Sequence, residues 1–274
     1  MSRVHILKQI FQRKKSRQDH ITRTIVRNNV TTSATKSNSW SITEIIVGDT
    51  KKAWQNAGFN VDEEDLVKLD NLKIRVNGGG GGLLGIVFGV TGEDNDVGST
   101  NNLYDPPVIP GLSIFVEEQA KHFVSDKHPN TCFQLGELVL YSQNLYDTVN
   151  ELQRVGVRTH KGMPPKEIKG GKHAVATFYL SNNLRLLLFG PIDPKHDRTT
   201  NPKTWMFGRS DDKDTVSLTG YLPICEDINR LHNSINGNIG KIKKALQKGR
   251  QIATLKDGTI KHLTGTFAFL SDVK

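Results

Sequence analysis

The chain has 274 residues, with 37 Lys+Arg against 28 Asp+Glu and two cysteines. The formal charge of +9 is concentrated at one end: residues 1–40 hold nine basic residues and one acid, leaving 28 basic and 27 acidic residues in the rest. A near-neutral body argues against nucleic acid as a partner, and no apolar run approaches the ~18 residues that span a bilayer, which argues against a membrane partner.

Residues 1–40 read as a leader rather than a domain. They are rich in Arg, Lys, Ser and Thr, and Val4, Ile6, Leu7, Ile10 and Phe11 fall at roughly helical spacing beside basic residues. That composition fits a mitochondrial transit peptide, and it equally fits a solvated, disordered basic tail. The expected location is therefore the mitochondrion, or otherwise the cytoplasm. Cys132 and Cys225 are too few for a disulfide framework, which suits a reducing compartment.

Three times the remaining chain runs from a short apolar strand through a polar corner into a short helix, at residues 41–61, 136–157 and 216–235. Recurrence of this kind points to duplicated βα-type modules. In the first unit Ile42, Ile45, Ile46 and Val47 form a strand, Asp49 is placed to cap a helix carrying Ala53, Trp54 and Ala57, and Gly58 stops it. Strands follow at 66–76, 83–90 and 112–117. The glycine run 78–82 between the first two reads as a hairpin connection, because a strand and not a Lys-Ser/Thr helix start comes after it. Residues 91–110 read as an exposed loop.

The second unit starts after His128-Pro129-Asn130, a turn-forming triplet. Its strand 135–142 leads into a helix with Leu145, Val149 and Leu152 on one face, ended by Gly156, with strands at 173–180 and 184–189. The third unit sets Ile228, Leu231 and Ile235 on its helix and ends in strands at 251–255 and 266–270. Cys225 at its strand-to-helix corner reads as an ordinary packed residue, and Trp54 and Trp205 as packing residues. The predicted class is α+β: repeated βαβββ-type modules in a curved, mainly antiparallel sheet forming a cup, with helices on the convex side. The divisions are 1–40 for the leader, 41–131 for the first module, and 132–274 for the second and third units as one domain.

His128-Pro129-Asn130 ahead of a strand, the strand–corner–helix of residues 138–157, Phe189-Gly190-Pro191 ending a strand, and GRQIATLK followed by FAFLS near the C-terminus are familiar in that order. Together they resemble the vicinal oxygen chelate superfamily (glyoxalase, bleomycin resistance, dioxygenase), and glyoxalase-like domain proteins most of all. The resemblance covers residues 41–274. It implies a cup that holds a small molecule. In its metalloenzymes it also implies a His, Gln or Glu on a module's first strand and a Glu on its last, around a divalent ion with open positions. That ligand set is incomplete here. The first-strand position of the second unit is Glu137, its last-strand position falls near Leu187, and the third unit offers Leu218 or Thr219. Glu44, Glu117 and Glu137 are the remaining metal candidates, and a divalent metal is a conceivable cofactor without a full set of ligands.

Period-2 alternation places Glu137, Tyr141, His173, Tyr179 and Arg185 on the cup face as ligand-pocket candidates. The same residues admit a plainer reading, in which Glu137 and Arg185 form a structural ion pair and His173 lies near a solvated strand end. Two function classes lead: a metal-independent binder of a small molecule, and a divalent-metal-dependent lyase, isomerase or dioxygenase; a third, an RNA-associated organelle protein, rests only on the basic leader. Whether the chain is an enzyme, and which residues would be catalytic, the sequence leaves open. Because cups form from paired modules, an odd count of three suggests that the first module pairs with its copy in a homodimer.

Overall fold

The computed structural model describes residues 39–78, 80–91, 106–117, 124–168, 171–194, 216–235, 238–245, 248–256, 260 and 263–272. The leader up to residue 38, most of the 91–110 loop and Trp205 lie outside them. Strand β1 (Ser39–Val47) is followed by helix α1 (Lys51–Asn56), β2 (Leu66–Lys68), β3 (Lys73–Val76), β4 (Leu83–Thr91) and β5 (Ser113–Glu117). Then come β6 (Cys132–Ser142), α2 (Leu145–Arg154), β7 (Lys166–Glu167), β8 (His173–Tyr179) and β9 (Arg185–Pro191). The last unit is β10 (Val216–Cys225), α3 (Ile228–Ser234), β11 (Lys243–Lys244), β12 (Arg250–Thr254) and β13 (Thr266–Asp272). The fold is α+β. No helix among the described residues is long and apolar enough to cross a membrane.

The strands make two open, mixed sheets, ordered β2-β3-β1-β4-β5 and β11-β12-β13-β10-β6-β9-β8-β7. Within each unit the first strand lies parallel to the last: β1 to β3, β4 to β5, β6 to β9 and β10 to β13. Units meet antiparallel along their first strands, β1 against β4 and β6 against β10. The repeat count is therefore four. The fourth member, β4–β5, escaped the sequence pattern because no strand–corner–helix signature joins its strands; Ile109 and Leu112 from that connection join the core instead. The first unit thus finds its partner within its own chain, and the pairing argument for a homodimer falls away.

Local chemistry explains where elements stop. Thr50, not Asp49, caps α1, its hydroxyl accepting from the Ala53 amide at 3.3 Å. Gly58 takes φ +81° at the C-terminal end, as expected of a helix stop. The stretch 66–76 splits into β2 and β3, because Leu69 and Leu72 close a tight turn (amide to carbonyl, 3.0 Å). The glycine run is not a hairpin. β3 and β4 flank β1 on opposite sides, so the run must cross the end of β1, where the Gly81 amide donates to the Gly48 carbonyl at 2.8 Å. A Cβ on Gly48 would lie 2.6 Å from the Gly81 oxygen, so the crossing needs a bare backbone. β1 begins at Ser39, and Trp40 is buried edge-on against Phe88, so it belongs to the body and not to the leader.

One continuous apolar core lies between the sheets. Ile86, Phe88 and Ile114 of the first face Leu140, Leu186 and Leu188 of the second, with Leu152 of α2 beside them. Alternation is clear on β8, where Ala174, Ala176 and Phe178 are buried while His173, Val175 and Thr177 are half-buried. Each sheet therefore turns one face to the core and the other outward. Gly190 sets the approach of β9 to the end of β6, since a Cβ there would lie 1.9 Å from the Ser142 carbonyl oxygen. Gly190→Ala is expected to cost about 3 kcal/mol by forcing backbone apart. Urea denaturation reads this directly, and an unchanged midpoint would mean the two strands are not held at that distance.

Candidate functional site

The outward face of the second sheet carries the predicted pocket residues. Register sets Glu137 of β6 beside Arg185 of β9, and Arg185 beside Tyr179 of β8, in one row across three strands. The Arg185 guanidinium donates to the Glu137 carboxylate, with only 19% and 8% of the two side chains exposed. Burial lowers the pKa of Arg185 from its ordinary value, though a guanidinium stays charged at any pH a protein survives. Four residues along each strand, Tyr141 meets Phe189 edge-on at 6.0 Å and donates to Gln143 Oε1 at 3.0 Å. His173 sits further out, opposite Pro191. Tyr179 is 56% exposed and its ring meets His160 at a tilt, centroids 4.5 Å apart, at the sheet's outer margin. Val139, Val175, Thr177, Leu187, Leu222 and Ile224 share this outward face by alternation.

The first sheet repeats the arrangement. Glu44 of β1 is nearly buried and accepts from Arg75 Nε of β3 at 2.6 Å, with Lys73 Nζ at 3.7 Å. Glu117 accepts from the Thr43 hydroxyl at 2.8 Å. Arg75 went unnoticed in the sequence, although it alternates with Ile74 and Val76 as an outward residue must. The idea that Glu137 shares a metal with Glu44 or Glu117 is not met. Glu44 and Glu117 belong to one sheet and Glu137 to the other, with the common core between them. Among the described residues no three of His, Cys, Asp and Glu converge as metal ligands would. Thr219, the third unit's candidate, is fully buried and donates to the Val139 carbonyl at 2.8 Å.

No family model matches the chain, and no curated protein does. Solved structures do. A xylose isomerase-like TIM barrel/4-hydroxyphenylpyruvate dioxygenase fusion protein is matched at 10% identity and TM-score 0.49, over 85% of this chain and 49% of that one. A variant of 4-hydroxymandelate synthase from Streptomyces coelicolor is matched at 10% identity and TM-score 0.47, over 86% and 94%. Glyoxalase I from Zea mays follows at 12% identity and TM-score 0.34, over 86% and 70%. These likenesses concern the fold alone. The chain spans about half the length of the fusion protein.

The polar residues of the His128-Pro129-Asn130 triplet serve the structure. His128 is buried, takes a hydrogen bond from the Asn60 amide on Nδ1 at 3.0 Å, and so carries its proton on Nε2, 3.0 Å from the Lys68 carbonyl. Asn130 accepts from the Cys132 amide at 3.0 Å and donates to the Ala57 carbonyl at 2.9 Å, tying β6 to the end of α1. Burial lowers the pKa of His128 from 6.5, so the neutral ring is the native form. A histidine depressed in this way gives its full contribution above the unfolded value near 6.5, and loses it as pH falls from there through the folded value. Stability should therefore drop on acidification below pH ~6.5, and His128→Gln should flatten that part of the profile. Urea midpoints taken at a series of pH values check this; parallel profiles for the two proteins would contradict it.

Sequence reasoning missed one buried cluster altogether. Asp49 has no exposed surface; its carboxylate accepts from Trp54 Nε1 at 3.0 Å, from the Thr264 amide at 3.0 Å and from the Thr264 hydroxyl. Burial raises the Asp49 pKa against the lowering effect of those donors. Tyr221 lies fully buried against Trp54 and Phe267, and its own pKa is pushed well up by burial and by Asp49. Read locally, an Asp before a helix is a cap; only the fold brings Thr264 to it.

Proposed function

We propose that the chain is a glyoxalase-like binder of a small molecule, which it holds on the outward face of the second sheet without a metal. The supporting observation is the pairing of Glu137 with Arg185. At the first-strand position where the resembled metalloenzymes have a ligand, the Glu137 carboxylate is matched by the guanidinium of Arg185 on the neighbouring last strand, whose own ligand position falls near Leu187. A divalent ion at Glu137 would have to expel that guanidinium, leaving two charges in poor surroundings. The face mixes aliphatic and aromatic walls with one buried cation, which suits a small apolar or aromatic acid. Arg185 orients the acid group, and Tyr141, Leu187 and Phe189 cover its apolar body.

Elemental analysis of the full chain, purified without a metal-binding tag and then incubated with Zn, Ni, Mn or Fe, tests the metal-free reading. The expected result is no stoichiometric metal. About one equivalent, lost in Glu137→Ala, would overturn it in favour of a metal-dependent lyase, isomerase or dioxygenase. For the ligand, a panel of aliphatic and aromatic carboxylates monitored by protein NMR should perturb β6 and β9 resonances in the native chain. Tyr141→Ala should weaken that response while leaving the fold intact.

A further inference from the structure

Cys132 opens β6 and Cys225 closes β10, and the antiparallel register sets them directly opposite one another. Both side chains are 2% exposed. Each thiol also has a carbonyl to donate to, Asn130 at 3.8 Å for Cys132 and Leu270 at 3.3 Å for Cys225. Facing residues of antiparallel neighbours stand roughly 4.5–5.5 Å apart at Cα. That is inside the ~4.4–6.8 Å that a disulfide spans. Backbone bonds hold the strand ends in place around the pair: the Glu226 amide donates to the Thr131 carbonyl at 3.0 Å, and Thr131 itself takes φ +56°. Both cysteines are thiols in this structure.

We propose that Cys132 and Cys225 form a redox-modification site, oxidised by a small hydroperoxide to a cross-strand disulfide that staples β6 to β10. In the first step one sulfur attacks the peroxide, the O–O bond breaks, and an alcohol (or water) leaves with the thiol's proton. The sulfenic acid so formed is attacked by the facing sulfur. The S–S bond forms, and the hydroxyl leaves as water with the second thiol's proton. Two thiols and one hydroperoxide thus become one disulfide, one alcohol and one water. Burial keeps bulky oxidants out and holds the thiols protonated, so the reaction selects small reagents and proceeds slowly. The second step is intramolecular between residues that already face one another across the strand pair, which favours the crosslink over further oxidation. The bond would lock the seam where the two units of the second sheet meet, closing a loop that contains the whole β6–β9 unit.

The test needs only the native full chain, since it carries just two cysteines. The protein is exposed to hydrogen peroxide, unfolded in denaturant with N-ethylmaleimide, and weighed intact. The expected product has lost two hydrogens, takes up no maleimide, returns to two alkylatable thiols after dithiothreitol, and unfolds at higher urea than the reduced form. Cys132→Ser and Cys225→Ser should each abolish the crosslink. Two maleimides taken up after peroxide would overturn the proposal. So would oxygen added to one sulfur without a crosslink, or a disulfide formed only between two chains.

Discussion

Glu137→Ala is expected to cost about 3–5 kcal/mol of stability, far more than a surface charge change, because it leaves the Arg185 guanidinium in a mostly buried position without that carboxylate. The two side chains are 8% and 19% exposed, so water restores little of the lost interaction. Removing both charges is the informative comparison. Glu137→Leu combined with Arg185→Met should recover most of the loss, since a buried ion pair replaced by apolar side chains of similar size is often neutral or stabilising. Urea denaturation of the two single variants and the double variant closes the cycle. Single-variant losses below about 1 kcal/mol would show a solvated pair of the ordinary surface kind. They would also remove the obstacle to a metal at Glu137, and so weaken the proposed function.

Asp49→Ala is expected to cost about 4 kcal/mol, through the Trp54 and Thr264 donors it would leave unpaired in the core. The carboxylate binds the corner after β1 to residue 264, at the far end of the chain. Its loss should therefore loosen the contact between the two sheets, and not merely fray α1. Asp49→Asn keeps the shape but turns an N–H toward one of three donors, and should fall between the two proteins. Hydrogen exchange distinguishes the possibilities: faster exchange in β10 and β13 as well as α1 fits a tie between sheets, while a change confined to α1 would reduce Asp49 to a local cap.

The outward face shows how far residue spacing carries a functional reading. Alternation alone set Glu137, Tyr141, His173 and Arg185 on the side away from Leu138, Ala174 and Leu186; burial alternates along β8 and at the start of β9, whereas on β6 Glu137 to Leu140 are buried on both faces. It could not say which of them meet. Glu137 and Arg185 sit in the same row because β9 lies parallel to β6 in one particular register, and Tyr179 faces out to His160 because β8 runs to the sheet's margin.

What the sequence determined by itself is the set of local choices: the strand–corner–helix units, the glycine stops at Gly58 and Gly156, the inward stripe of Leu145, Val149 and Leu152, and the α+β class. Each depends on backbone preference and on hydrophobic period within a few residues, so each is written locally. Tertiary structure alone decided the fourth unit hidden in β4–β5, the crossing of the glycine run over β1, the facing of Cys132 and Cys225, and the burial of Asp49 against Thr264. These depend on which strands pair and in what register. That is settled by the joint burial of distant apolar faces, to which no local pattern has access.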